Sequence, residues 1–419
     1  MGAAAGGRAT YIAELLDHHV EELGFLWGRW RAALGDPDYT VSAVAHLEER
    51  IRAHLQGVQA PGERALPRLT DALHGDDAEL AFAAAYALLH RDEAPSTDAV
   101  LAAFEAAEDE VAPALAMALA YSPLRRAVLE RLRAMLSARP ALRAAAAAEA
   151  LVFHGALDLG GEQLRWFLED DDPAARLAGW RLAALLGARA APESYARALR
   201  DDEPAVAAAA LEAGAWCGVQ GVLPALRRMA EAPSPERMGV LRLLAVLGTP
   251  EDASRLYALA CAPELGPERF RLAGAFGDPR FMPLILKALA DPDPATAVAA
   301  GAAFVRLTGV EVRTGERATL PPEGGGEPDD FEAEFLERVT LPDPARARRE
   351  WETLRPRLER APRICRGMDV ALPPDAEAAA RLDMESRRDL LLRRRFHDGW
   401  KGTLLALEAF PQCGGAPGP

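Results

Sequence analysis

The sequence predicts an all-α protein whose middle is an α-α superhelix, or solenoid, of about eight helical-hairpin units. Prolines recur there at intervals of 31, 31, 32 and 27 residues. Glycines that end apolar runs recur out of phase with the prolines, at intervals of 32, 31, 30, 29 and 32 residues. Self-similarity near this length is typical of stacked helical hairpins. The prolines are Pro173, Pro204, Pro235, Pro267 and Pro294, and the glycines are Gly155, Gly187, Gly218, Gly248, Gly277 and Gly309.

Residues 171–200 show the plan of one unit. Asp172 is predicted to cap a helix, because its carboxylate can accept backbone N–H groups that otherwise lack partners. Pro173 fits the first helical position, where its missing N–H costs nothing. A run rich in Ala and Leu follows, and Gly187 suits the left-handed position just past the helix end. A second helix is predicted from about Pro192 to Arg200.

This unit resembles a HEAT repeat, in the short form that also occurs in phycobilisome lyases. The likeness rests on the acidic-Pro start of the first helix and on its Leu-Gly-type end. It also rests on the starts of two second helices, Pro224-Ala225-Leu226 and Pro283-Leu284-Ile285. The resemblance implies that residues 71–310 form a HEAT-like solenoid.

Residues 1–70 are predicted to form a helical cap on the first repeat. One helical face in this region is apolar and consists of Leu47, Ile51, Leu55 and Val58. A cluster of aromatic residues is expected to cover the open end of the repeat core, and its members are Phe25, Trp27 and Trp30. His54 borders the apolar face, so we expect a hydrogen-bonded histidine at the edge of the core.

Three segments follow the repeats. Residues 311–343 are acidic and rich in Pro and Gly, which predicts a linker. Residues 344–410 are predicted to form a helical module rich in arginine. Residues 411–419 are expected to be a disordered tail.

The chain is acidic, with 48 Lys and Arg against 63 Asp and Glu and a net charge of −15. An acidic protein repels phosphate backbones, so nucleic acid is an unlikely partner. The Arg-rich residues 345–401 keep DNA binding as a minor alternative. Residues 205–226 carry one charge, yet they fall in phase with the repeat, which favours a buried helical pair over a membrane span.

The four cysteines show no CxxC pairing and indicate free thiols in a reducing compartment. Cys217 and Cys261 are predicted to lie in the core, whereas Cys413 is predicted to be exposed. The first ten residues lack the pattern of a secretory signal. These observations together favour a cytoplasmic protein.

Motifs that carry chemistry are absent from the sequence, including the Walker loop, GxGxxG, GxSxG and HExxH. Acidic runs recur at helix starts, where they complement the helix dipole. His18 and His19 are adjacent and would point about 100° apart on a helix. We therefore expect a non-catalytic protein without catalytic, cofactor-binding or metal-binding residues.

A solenoid presents a long surface, so the sequence predicts binding of a protein partner in a groove. In HEAT-like repeats the helix that ends in Leu-Gly usually lines this groove. Arginine and tryptophan are enriched at binding hot spots. The alternative is that the tryptophans are core residues and the arginines pair with neighbouring acids. The candidate contacts are Arg176, Trp180, Arg181, Trp216, Arg237, Arg242 and Arg271.

Blocks at both ends resemble a family of uncharacterised bacterial HEAT-repeat proteins, common in myxobacteria and other proteobacteria. The blocks are FLWGRWRAAL at 25–34, LEERIRAHLQGV at 47–58, LPDPARARREW at 341–351 and RRDLLLRRRF at 387–396. The second block departs from the family pattern at Glu48, Ile51, Gln56 and Val58. Some members are encoded in type VI secretion gene clusters, which implies a scaffold or accessory of that system. The alternative implied by the repeat form is a chromophore-handling protein that resembles the bilin lyases.

Overall fold

The computed structural model describes residues 3–108, 110–157, 159–320, 336, 338–372 and 376–409. These residues are mostly helical, so the all-α prediction is confirmed. The chain divides into two compact units. Within the described ranges, the first unit contains residues up to 217, 383–385 and 401–409, and the second contains residues 218–382 and 386–400.

The first unit is a row of helical hairpins behind a long N-terminal pair. Its helices are α1 Ala3–Ala33, α2 Val41–Gln59, α3 Leu66–Leu73, α4 Ala78–Leu89, α5 Ala94–Ala106, α6 Ala112–Tyr121, α7 Arg126–Ala134, α8 Ala141–Phe153, α9 Gly161–Leu168, α10 Pro173–Leu186, α11 Pro192–Ala198 and α12 Pro204–Trp216. From α4 onward, each even-numbered helix packs against the next even-numbered helix. Every second helix therefore forms an inner row, which is the arrangement expected of stacked hairpins.

The repeat markers act through local backbone chemistry. Asp172 accepts the N–H of Ala174 at 2.9 Å, and Pro173 occupies the first helical position. Gly187 follows α10 in the left-handed conformation, with φ +64°. The other marker glycines except Gly248 also have positive φ. Gly248 differs because Thr249 begins the next turn at once through a capping box.

The second unit continues the hairpins and adds a C-terminal module. Its helices are α13 Val222–Met229, α14 Met238–Leu247, α15 Ala253–Ala260, α16 Arg269–Phe276, α17 Met282–Ala288, α18 Pro294–Thr308, α19 Pro344–Leu358 and α20 Ala376–Arg381. Its strands are β1 Arg313–Thr319, β2 Arg338–Pro342, β3 Ile364–Cys365 and β4 Met368–Asp369. Helix α21 Met384–His397 begins with residues of the first unit and ends in the second, and α22 Leu405–Glu408 belongs to the first unit.

In the second unit, α14, α16 and α18 form the inner row. The β3–β4 hairpin closes the C-terminal ends of α16 and α18. Ile364 donates its N–H to the Gly277 carbonyl at 2.7 Å, and Gly367 donates to the Leu307 carbonyl at 2.8 Å. A Cβ on Gly277 would collide with the Ile364 carbonyl, so this glycine permits both the helix turn and the hairpin contact.

Arg363 is the side chain that ties this hairpin to the inner row. It is 5% exposed, and its guanidinium stacks over the Phe276 ring, 4.6 Å from the ring centroid. Burial and then the nearby charge of Arg393 lower the pKa of Arg363. The guanidinium donates to five backbone carbonyls at the ends of α14 and α16, those of Ala245, Val246, Gly248, Ala275 and Phe276.

The segment predicted to be a linker, 311–343, contains strands β1 and β2. They pair antiparallel, with Ala318 opposite Val339 and Thr319 opposite Arg338. Their β-branched residues fit a pleated pair, but the interspersed charged residues hide the alternation in the sequence. Residues 321–335 and 337 of this segment, together with the predicted tail 411–419, lie outside the described residues.

The N-terminal prediction is partly corrected. Trp27 and Trp30 are buried in the first unit, and Trp27 stacks on Phe82 with ring centroids 4.1 Å apart. Phe25 is 50% exposed, because it lies on the side of α1 away from the buried residues Leu23, Leu26 and Trp30. The predicted apolar face of α2 is buried as expected.

Cys261 is also corrected, because its side chain is exposed whereas Cys217 is buried. Cys261 follows α15, whose buried face ends at Leu259 and Ala260. One further residue turns the side chain away from this face. Cys413 lies outside the described residues.

Residues 205–226 comprise nearly all of α12 and the start of α13, separated by a turn, rather than one continuous helix. Within the part of the chain that the structure describes, no helix is long and apolar enough to cross a membrane.

Replacing Arg363 by Met should lower the free energy of unfolding by about 3 kcal/mol, because several buried carbonyls lose their donor. Urea denaturation followed by circular dichroism measures the effect. The matched control is Arg360→Met, since Arg360 is exposed three residues earlier. Equal midpoints for the two variants would contradict the role assigned to Arg363.

Brief maleimide labelling of the native protein should modify Cys261 at least about tenfold faster than Cys217, because thiol reactivity requires access. Peptide mass spectrometry distinguishes the two sites within one sample. Labelling in denaturant is the control and should modify both cysteines equally. Comparable rates in the native protein would show that the exposure of Cys261 is wrong.

Candidate partner-binding face

The two tryptophans predicted to line a groove are core residues. Trp180 is 1% exposed and Trp216 is fully buried. Trp180 packs against Tyr195 of the same hairpin, with ring centroids 4.9 Å apart. Their prediction as partner contacts is therefore wrong, because both side chains are buried in the core.

Arg176 joins two successive hairpins of the first unit. Its guanidinium makes a two-point contact with the Asp201 carboxylate, at 2.8 and 2.7 Å. It also donates to the carbonyls of Asp170 and Asp171. Burial alone would raise the pKa of Asp201, but the hydrogen bonds from Arg176 lower it overall. Arg176 is thus a structural contact between hairpins, as the alternative interpretation held.

A cleft of about 480 Å³ lies beside Arg176. Charges of both signs line it, and several are already paired with each other. Arg176 holds Asp201, and Arg197 of the cleft lies 3.4 Å from Glu169. These pairs leave little net charge to attract a ligand.

Arg237 and Arg271 lie at exposed positions of the second unit. Arg237 donates to the Ala232 carbonyl at 3.1 Å. Arg271 pairs with Glu268 one helical turn earlier, at 3.3 Å, and both side chains are half exposed. Such exposed pairs contribute little to stability. Both arginines therefore stay accessible from solvent.

Arg181 belongs to a half-buried polar cluster in the first unit, here called the Arg181 cluster and formed by Tyr121, Glu149, Arg181 and Glu408. Arg181 donates to Glu149 at 2.6 Å and to Glu408 at 2.7 Å. Burial alone would lower the pKa of Arg181, but the two carboxylates raise it above its usual value. Through Glu408, the C-terminal segment thus contacts Arg181 of the inner helix α10 and Tyr121 of the inner helix α6.

Glu408 and Tyr121, two other members of this cluster, are buried. The Glu408 side chain is 9% exposed, and the Tyr121 hydroxyl donates to the Glu408 backbone carbonyl at 3.4 Å. Burial, followed by the charges of Glu149 and Glu408, raises the pKa of Tyr121 well above its usual value. Tyr121 therefore remains a neutral donor.

Arg242 belongs to a second cluster, the Asp389 cluster, which lies in the second unit and consists of Arg242, Arg306, Ser386 and Asp389. Asp389 accepts from Arg242 at 2.8 Å and from Arg306 at 2.7 Å. Arg306 also donates to the Ser386 hydroxyl at 2.7 Å. One buried carboxylate of α21 thus compensates arginines from two inner helices, α14 and α18.

Sequence reasoning missed Glu408, Asp389 and Arg306, although a signal existed for Asp389. In α21 the buried side chains Ser386, Asp389, Leu392 and Phe396 recur at intervals of three and four residues. A lone acidic residue on an apolar helical face indicates a buried cationic partner. Nothing in the local sequence identifies that partner, which lies 147 residues away at Arg242.

Two arginines of the Arg-rich module donate to backbone carbonyls of the second unit. Arg393 donates to the carbonyls of Val246 at 3.2 Å and Gly248 at 2.9 Å. Arg395 donates to the Trp400 carbonyl at 3.0 Å. These arginines are half-buried because they satisfy backbone acceptors, so they do not form a solvated helix face.

Neither family models nor curated proteins match this chain. Two solved structures resemble it weakly. A crystal structure of an engineered protein has 16% identity and a TM-score of 0.28, covering 68% of this chain and 88% of that one. Human deoxyhypusine hydroxylase in complex with glycerol has 17% identity and a TM-score of 0.22, covering 70% and 96%. TM-scores this low support no conclusion about fold or function.

Replacing Asp389 by Ala should destabilise the second unit by about 3 kcal/mol, because it leaves buried Arg306 without its carboxylate. A lower urea midpoint would report this loss. Asp71→Ala, at an exposed position, serves as the matched control. In a double-mutant cycle, Asp389→Ala combined with Arg242→Ala should cost less than the sum of the single changes. Strict additivity would contradict the assigned pairing.

Proposed function

We propose that this chain is a non-catalytic protein-binding scaffold that takes an acidic segment of a partner protein on the inner helices of its first unit. The observation that carries the proposal is the Arg181 cluster. There, a short segment ending at Glu408 is already held by polar side chains of the inner helices. That segment occupies the inner helices as a ligand from the same chain. Its carboxylate, on Glu408, is the kind of group that we expect a partner to supply.

The energetics of Arg181 favour a second carboxylate. Arg181 is held on one side by Glu149 and is half-buried, so the departure of Glu408 would leave it incompletely compensated. Leaving a partly desolvated charge with too few partners costs stability. An incoming Glu or Asp would restore the lost ion pair, and the Tyr121 hydroxyl would offer a donor to its backbone. Acidic partner segments are therefore preferred over neutral ones.

The resemblance of the end blocks suggests the cellular setting. Some members of the family that they resemble are encoded with type VI secretion components. We propose an accessory or adaptor role in that system on this resemblance alone. Pull-down against the secretion components of the host tests it, and recovery of none of them would remove this part of the proposal.

Glu408→Gln in the full-length protein should increase capture of the partner, because it weakens the internal ligand without removing its shape. Affinity purification from the native host, with the variants compared by quantitative mass spectrometry, measures capture. Combining Glu408→Gln with Arg181→Met should abolish the gain, because the cationic anchor is then missing.

Glu359→Gln is the matched control for this experiment, since Glu359 lies in an exposed pair with Arg355. Circular dichroism confirms that each variant is folded. Capture that is identical in the wild type, Glu408→Gln and the double variant would exclude the Arg181 cluster as the partner site.

A further inference from the structure

Three histidines of the first unit lie together where α1 passes α2. The Nδ1 atoms of His19 and His54 are 3.2 Å apart. Their ring centroids lie 5.1 Å apart, and the ring planes are steeply inclined at 72°. The ring of His18 lies 6.2 Å from each of the other two rings. His54 is therefore hydrogen-bonded at the core edge, as the sequence predicted, but its partner is a second imidazole.

The position of His19 is set by a glycine of the facing helix. A Cβ on Gly57 would lie 2.6 Å from atoms of the His19 ring. The ring therefore occupies the space that a side chain at residue 57 would fill. This packing directs His19 towards His54, while both residues stay half-buried and reachable from solvent.

Among the side chains around His19 and His54, the imidazole nitrogens are the groups available to bind a metal ion. The two Nδ1 atoms that face each other at 3.2 Å are imidazole nitrogens, which are metal ligands when they carry no proton. Nearby carboxylates are engaged elsewhere, since Glu22 lies 3.4 Å from Arg50 and Asp17 pairs with Arg68. Neutral imidazole suits zinc, copper and nickel rather than calcium or magnesium.

We propose that His19 and His54 are the two resident ligands of a surface site for a divalent transition-metal ion, with Zn²⁺ as the reference case. At the usual Zn–N distance, two nitrogens of a tetrahedral site lie about 3.4 Å apart, which is close to the observed separation. Small ring rotations then aim both lone pairs at one ion. The site goes beyond the proposed binding of a partner and is independent of it.

The arrangement as it stands supplies two protein ligands, and water fills the remaining positions. Over the described residues, no three His, Cys, Asp or Glu side chains are already grouped to hold a metal ion. His18 becomes the third ligand by rotating its exposed side chain towards the other rings. The bound ion then links α1 to α2 at the N-terminal end of the first unit.

The test is zinc titration of the full-length protein, purified without a histidine tag. Calorimetry should show one ion per chain for the wild type. His19→Ala and His54→Ala should each weaken binding by about tenfold or more, because loss of even an outer-shell partner costs about that much. Cobalt substitution should give visible absorption bands that both variants lose.

His74→Ala is the matched control, because His74 is an exposed histidine of the same unit whose Nδ1 lies 2.9 Å from the Thr70 carbonyl. It should bind zinc like the wild type. His18→Ala should weaken binding less than the other two changes, and unchanged binding would exclude His18 as a ligand.

A second test of the zinc site leaves all three histidines unchanged. Gly57→Ala should weaken zinc binding because the new methyl group displaces the His19 ring. Circular dichroism without metal verifies the fold of every variant. Zinc uptake that survives both His19→Ala and His54→Ala would overturn the proposal, as would failure of the wild type to bind at about 100 µM zinc.

Discussion

Backbone carbonyls at helix ends are the acceptors on which the second unit depends. Each helix leaves its last carbonyls without partners, and here neighbouring helices end side by side. Arg363 and Arg393 supply side-chain donors to α14, and the β3–β4 hairpin supplies N–H groups to α16 and α18. His397 adds a bond to the Leu247 carbonyl at 2.6 Å. The C-terminal module is therefore part of the hairpin stack rather than an appendage joined to it.

The parts of the fold that could be predicted are those set by interactions between residues close together in the sequence. The cap at Asp172, the proline after it and the left-handed turn at Gly187 each act within a few residues, so the sequence displays them directly. The same rules account for the start of α4 at Asp77 and of α18 at Asp293. Strands β1 and β2 escaped prediction because their pairing joins residues 19 to 29 positions apart, from Thr319–Arg338 to Arg313–Pro342. A short polar strand also has no periodic signal of its own.

The candidate site was less predictable for a related reason. Arginines were recognised as candidate contacts by type, but their partners were set by the tertiary fold. Arg181 meets Glu408 across 227 residues, and Arg306 meets Asp389 across 83. The sequence contains more acidic than basic residues, so each arginine was expected to pair with an acidic side chain. Which acid meets which arginine depends on where the C-terminal segment packs, and no local pattern encodes that.

The Arg363 contact and the Arg181 cluster each join the C-terminal region to helices that stand much earlier in the chain. Arg363 lies 115 residues after Gly248, and Glu408 lies 227 residues after Arg181. Contacts between such distant residues form late, because a long loop must close before they can be made. During synthesis, the inner helices of both units therefore wait for these side chains until nearly the whole chain has been made.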